Sequence, residues 1–187
     1  MNKYKLETPY IIKSFDYHKN IKENLIELVN QSNYTSPEDS TQETKITRAD
    51  WHNGSDMSRD WVKFLVPKLT EEIMVMYEEL GFDKLTITEI WFQQYLTGSK
   101  HGWHTHSGNW TNVYYLEFPE GSPKTILINP FDKKSIIEVD VKEGDLLVFP
   151  AFVMHKAPIN TISSRKTIIS YNINSDISDL MYKKWMP

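Results

Sequence analysis

Apolar positions follow two different periods along this chain, one in each half. From Asn20 to about Asn30, the residues Ile21, Leu25, Ile26, Leu28 and Val29 recur at helical spacing. A longer stripe follows, in which Trp61, Phe64, Leu65, Leu69, Ile73, Met76, Tyr77 and Leu80 share one helical face. Ser55 or Ser58 stands where a cap is needed, Gly81 stands where the helix should end, and Pro67 predicts a kink or two segments. Ahead of the first helix, PYIIKSF (residues 9–15) reads as a short strand. Residues 31–50, QSNYTSPEDSTQETKITRAD, are almost wholly polar and read as a surface loop, serving either as a solvated connector or as a lid over substrate.

From Lys84 the period falls to two. LTITEIWFQQYL, NVYYLEF, KTILINP, SIIEVDV, DLLVFP and RKTIISYNI are short runs of β-branched and aromatic residues. Turn signals separate them: Thr97-Gly98, Pro119-Glu120-Gly121, Asn129-Pro130, Glu143-Gly144-Asp145 and Ser163-Ser164. About eight short strands at this spacing predict a mainly β fold with N-terminal helices: a double-stranded β-helix (jelly roll, cupin-like) buttressed by two or three helices. The expected organisation is a single domain over 1–187. Residues 1–83 form a helical support region, 84–174 the jelly-roll core, and 175–187 a C-terminal tail with a helical turn.

Composition narrows the chemistry. A chain of 187 residues, 40% hydrophobic and 13% aromatic, can bury a core of its own. Its net charge of −4 offers no basic field, so neither nucleic acid nor an anionic membrane is an expected partner. The N-terminal stretch has no apolar run of signal-peptide or membrane-span length, and a cytoplasmic location is the default expectation. With no cysteine, thiolate catalysis, disulfides and iron–sulfur clusters are excluded, and any metal must be held by nitrogen and oxygen.

Such ligands are present. In HGWHTH, His104 and His106 are two apart, a spacing that projects both imidazoles to one face of an extended strand. His155, at the end of the later run DLLVFPAFVMH, can meet them at one mouth of a jelly roll. Three protein ligands would leave positions open on the ion, as in a catalytic site. Arg165 opens the last long strand with Thr167 on its face two residues on. A guanidinium beside a hydroxyl suits a carboxylate. A metal and an arginine together imply a ligand with a chelating head and an anionic tail, a description that 2-oxoglutarate fits. Trp103 and Trp110 flank the histidines as pocket walls or core. Only one of Tyr114 and Tyr115 can face inward. His101 reads as a solvated loop residue, and His18 and His52 as surface residues.

Taken together, YLTGSKHGWHTH (Tyr95 to His106), GDLLVFPAFVMH (Gly144 to His155) and RKT (Arg165 to Thr167) resemble the Fe(II)/2-oxoglutarate-dependent oxygenases, nearest the prolyl 4-hydroxylase-like branch. The resemblance covers roughly residues 84–174. It implies Fe(II) and 2-oxoglutarate as cofactor and cosubstrate, O2 as co-reactant, and a hydroxylase coupling decarboxylation of the keto-acid to oxidation of a peptide or small molecule. It also implies His104 and His155 as iron ligands, with Arg165 on the distal carboxylate of 2-oxoglutarate, assisted by Thr167 and Tyr95. Where that family places an acidic ligand, this chain has His106. Either His106 completes an all-histidine set, the reading adopted here, or an acid from elsewhere does so. Two other readings stand beside this one: a cupin-like three-histidine metalloenzyme that needs no keto-acid, and a non-catalytic binding descendant of the fold.

Overall fold

The computed structural model describes residues 7–185, so the first six residues of the N-terminal stretch and the last two of the tail lie outside it. Strand β1 (Ile11–Ser14) leads into helix α1 (His18–Gln31). The polar stretch then carries strand β2 (Arg48–Ala49), followed by one 3-10 turn at Trp51–Asn53 and helix α2 (Asp60–Glu79). Eight strands come next: β3 (Lys84–Tyr95), β4 (His101–His104), β5 (Trp110–Glu117), β6 (Ile126–Ile128), β7 (Ile136–Glu138), β8 (Asp145–Pro150), β9 (His155–Ala157) and β10 (Lys166–Asp176). Helix α3 (Asp179–Trp185) ends the described chain. Among the described residues no helix is long and apolar enough to cross a membrane.

The strands form a jelly roll of two antiparallel sheets. The major sheet has the order β1-β8-β5-β10-β3-β2 and the minor sheet β4-β9-β6-β7. Both faces of the major sheet are covered, which is why its central strands read as continuous apolar runs. Successive residues point to opposite faces, so each strand feeds two cores. Tyr114, Leu116, Leu146, Val148, Ile169, Tyr171 and Ile173 pack with Leu25, Val29, Trp61, Leu65, Leu69 and Tyr77 of the two helices. Val113, Tyr115, Leu147, Phe149 and Ile168 face the other way, toward Leu127, Val153 and Ala157 of the minor sheet and its approaches. Burying a leucine- or phenylalanine-sized side chain stabilises by roughly 1.5–3 kcal/mol, and the helices contribute to the domain in this way.

Local details refine the expectations. Helix α2 runs unbroken through Pro67. Leu65 and Leu69 are fully buried on either side of it, and Lys68 Nζ donates to the Phe64 carbonyl at 3.1 Å in the same turn. Neither serine caps this helix: it starts behind Arg59 without a side-chain cap, and Ser58 bonds Asp56 instead. Gly81 takes the left-handed conformation expected past its end, at φ 87°.

The polar stretch 31–50 is not a free connector. Thr35 exchanges two main-chain hydrogen bonds with Ala49, at 2.8 and 2.9 Å, and Lys45 does the same with Lys100. Ile46, 1% exposed, joins the barrel core. His18 is not a surface residue: its Nδ1 lies 2.7 Å from the Tyr114 hydroxyl. A Cβ at Gly144 would sit 2.9 Å from the His18 ring, so only glycine fits there.

Candidate metal centre

Strands β4 and β9 pair antiparallel with His104 directly opposite His155. His106 follows β4, its main-chain N–H donating to the Ala151 carbonyl at 3.1 Å. These contacts bring three imidazoles together from positions far apart in the chain. One nitrogen from each lies within 4.8 Å of the others, close enough to hold a single ion. The ring centroids are 4.2 Å apart for His104 and His155, 5.2 Å for His104 and His106, and 5.0 Å for His106 and His155.

The hydrogen bonds of these rings determine which nitrogen is free. His104 Nδ1 lies 2.7 Å from the Gly102 carbonyl and His155 Nδ1 3.0 Å from the Val153 carbonyl. His106 Nδ1 lies 2.7 Å from Asn172 Oδ1. A carbonyl oxygen can only accept, so each Nδ1 carries the proton and each Nε2 keeps its lone pair. Burial depresses all three basicities, that of His104 to about 4 and that of His155 well below its ordinary value. Neutral imidazoles with one free nitrogen are the form that ligates a metal.

His101 belongs to this cluster rather than to a solvated loop. It stacks on His104 with centroids 3.7 Å apart, and Gln93 Nε2 lies 3.4 Å from its Nδ1. Burial drives its basicity down to about 3. It is not among the three that converge. His52 is exposed. Trp103 stands at the rim, 39% exposed, with Lys156 Nζ 4.6 Å from its ring. Trp110 is core on the opposite side of the sheet, edge-on to Tyr77 and Phe82. Trp91, which sequence reading passed over, lies 5.4 Å from the His106 ring. Of the tyrosine pair, Tyr115 faces the barrel, its hydroxyl 2.7 Å from Thr125 Oγ1.

The histidines open into a small cavity of about 20 Å³, bounded by Gln93, Tyr95, Val113, Thr125, Lys156, Ile168 and Ser170. That is room for about one water, so a small acid would enter only as these side chains move apart. A larger groove along α2, lined by Val62, Val66, Ile73, Leu85 and Ile87, offers no chemistry of this kind.

The anion-binding pair read from the sequence is placed differently. Arg165 and Thr167 do not bound the cavity; both turn to the helix side of the sheet and engage Glu117. Arg165 makes the bidentate contact, 2.8 Å from each carboxylate oxygen, and its Nη1 donates to Asn30 Oδ1 at 3.0 Å. The cation on the barrel side of the sheet is Lys166, 1% exposed and standing beside the cavity without bounding it. It pairs with Tyr95 in the β10–β3 ladder, and its Nζ donates to the Pro123 carbonyl at 2.7 Å over the rings of Tyr95 and Phe118. Among the described residues no carboxylate lies within ion-pair distance of it, and burial lowers its basicity to about 7. Tyr95 lines the cavity, its hydroxyl donating to Gln93 Oε1 at 3.1 Å. Alternation along RKTIISYN was the signal that could have found Lys166. It puts Lys166, Ile168, Ser170 and Asn172 on one face, with Arg165 and Thr167 on the other.

No family model matches the sequence, and no curated protein matches it. Solved structures do match in fold. An oxidoreductase of the 2OG-Fe(II) oxygenase family from Burkholderia pseudomallei superposes with a TM-score of 0.69 at 10% identity, over 88% of this chain and 84% of its own. The non-heme α-ketoglutarate-dependent epimerase SnoN of nogalamycin biosynthesis gives 0.70 at 12%, over 90% and 77%. A prolyl hydroxylase from Trichoplax adhaerens, in complex with a hypoxia-inducible-factor peptide fragment, gives 0.61 at 13%, over 95% and 87%. The fold is that of the 2OG-Fe(II) oxygenases, prolyl hydroxylases included.

Proposed function

We propose that this protein is an Fe(II)- and 2-oxoglutarate-dependent oxygenase acting as a hydroxylase. One observation carries the reading. Three neutral imidazoles line one small cavity of a jelly roll, and beside it, over the ring of the lining residue Tyr95, stands a buried ammonium without a protein counter-ion. The donor set fits Fe(II), which accepts imidazole nitrogen, and the ammonium fits the far carboxylate of a dicarboxylic keto-acid. His104, His106 and His155 would hold the metal. Lys166, in place of Arg165 and Thr167, would hold the carboxylate, and Tyr95 and Thr125 line the same end. When bound, iron with 2-oxoglutarate supplies the oxidising chemistry, consuming O2 and yielding succinate, carbon dioxide and a hydroxylated product.

The chain's own part is to bind, orient and exclude water. The apolar side chains Val113, Ala157 and Ile168 keep the cavity wall dry, which strengthens the attraction of Lys166 for an anion. Lys156 and Trp103 mark the rim, where a peptide or small-molecule substrate would arrive. Solved proteins of this fold include one bound to a peptide fragment and one bound to nogalamycin RO.

The all-histidine donor set favours one competing reading, a three-histidine metalloenzyme that needs no keto-acid; the lone buried Lys166 weighs against it. Anaerobic addition of Fe(II) and then 2-oxoglutarate separates the two. A visible charge-transfer band on adding the keto-acid, absent in His155→Ala, is the expected result. Iron uptake with no such band, together with O2 consumption that ignores 2-oxoglutarate, would overturn the proposal in favour of the second reading.

A further inference from the structure

The acceptors that hold the three Nδ1 protons differ in kind. Gly102 and Val153 present main-chain carbonyls, whereas His106 leans on the side chain of Asn172, which is 2% exposed. That amide is itself held. Asn172 Nδ2 donates to Glu89 Oε2 at 2.7 Å across the β10–β3 ladder, in which the two residues are direct partners.

The order of donors and acceptors in this row is forced. A carboxylate only accepts, so it must face the NH2 group of Asn172. The amide oxygen is thereby turned toward His106, and an oxygen there requires the proton on Nδ1. The lone pair is then left on Nε2, the nitrogen free to ligate. Trp91, with its ring tilted 36° to that of His106 at 5.4 Å, limits the plane in which the imidazole can lie. Glu89 is partly covered, and among the described residues no cation pairs with it. A cation held by the neighbouring histidines would complement the negative charge of Glu89.

We propose that Glu89 and Asn172 are positioning residues for His106. They set its tautomer, and Glu89 brings across the amide the negative charge that an acidic residue at position 106 would bring to the ion directly. This inference rests on the metal-site reading above.

Cobalt(II) is a suitable probe, because its visible absorption reports ligand number and identity without turnover. The full-length chain, E89Q, N172A and the double variant E89Q/N172D would each be titrated with Co(II) against a competing chelator, with apo melting curves recorded alongside. E89Q is nearly isosteric, but its amide can present either atom to Asn172. Asn172 is then free to flip and stabilise the tautomer that cannot ligate. Both single variants are expected to lose about 10- to 100-fold in Co(II) affinity and to show an altered visible band, while E89Q keeps the wild-type melting midpoint. In E89Q/N172D a carboxylate accepts directly from His106 and an amide orients it from behind, so most of the E89Q loss should be recovered. Wild-type affinity and band in both single variants would overturn the inference, as would a double variant no better than E89Q. A wild-type chain that takes up no Co(II) would instead overturn the metal reading beneath it.

Discussion

Arg165 and Lys166 are adjacent in sequence, and the major sheet separates them. Arg165 lies on the helix side, forked onto Glu117 and bonded to Asn30. Around it Asn30 Oδ1 also accepts from Gln94 Nε2 at 3.1 Å, and Arg48 Nη1 donates to Gln94 Oε1 at 2.9 Å. That network ties the end of α1 to the sheet. Lys166 faces the barrel and meets one carbonyl and two aromatic rings. The first cation already has its carboxylate within the protein; the second does not. A charge available to a ligand is one the fold has left without a counter-ion, and on that ground the geometrically ideal guanidinium is the weaker candidate.

The two positions can be set against each other experimentally. The largest contrast is expected in 2-oxoglutarate binding. Lys166→Met should cost about 2–5 kcal/mol, the usual penalty for truncating a buried charge partner, whereas Arg165→Met should leave binding near wild type. Titration of the anaerobic charge-transfer band measures both, and the reverse pattern would show that the faces are assigned the wrong way round. In the apo protein the order of effects inverts. Arg165→Met leaves the carboxylate of Glu117 short of its main partner and should lower stability by about 1–3 kcal/mol in urea denaturation. Lys166→Met removes an uncompensated buried cation and should not destabilise.

Proton uptake sharpens the same contrast. Burial lowers Lys166 to about 7 in the free protein, and a bound carboxylate would raise it. Binding is therefore favoured fully below pH 7 and weakens as pH rises above it, with close to one proton taken up near pH 8. Calorimetry in buffers of different ionisation heat should detect that proton in wild type and Arg165→Met but not in Lys166→Met. Stability carries the opposite sign. The unfolded chain binds the extra proton between about pH 7 and the ordinary lysine value of 10.5, so this residue makes the apo fold more stable as pH rises through that window. The smallest effect is expected at His101. His101→Ala removes a stacked ring outside the converging trio, so iron uptake, followed by the same band, should survive.

How much of this was legible in the sequence depends on whether an inference needed a period or a face. Both long helices, the two-residue period beyond Lys84 and the jelly roll follow from periods, and those stripes lie in the two cores. Faces required a third dimension. Arg165 and Thr167 do share one, as alternation says, but nothing local indicates that it is the helix side. His101 and His18 were placed by their neighbours in sequence, whereas their surroundings come from strands and helices far along the chain. Asn172 carries no motif; its role appears only when β10 and β3 are paired.

The two kinds of Nδ1 acceptor differ in what heredity can do to them. No substitution at Gly102 or Val153 deletes a carbonyl, so the supports of His104 and His155 are written into the backbone and pass unchanged through most mutations. The support of His106 is encoded in two side chains, each open to single changes. Variation among descendants of this chain, and any attempt to retune the centre by directed evolution, should concentrate on that one imidazole while the other two stay constant.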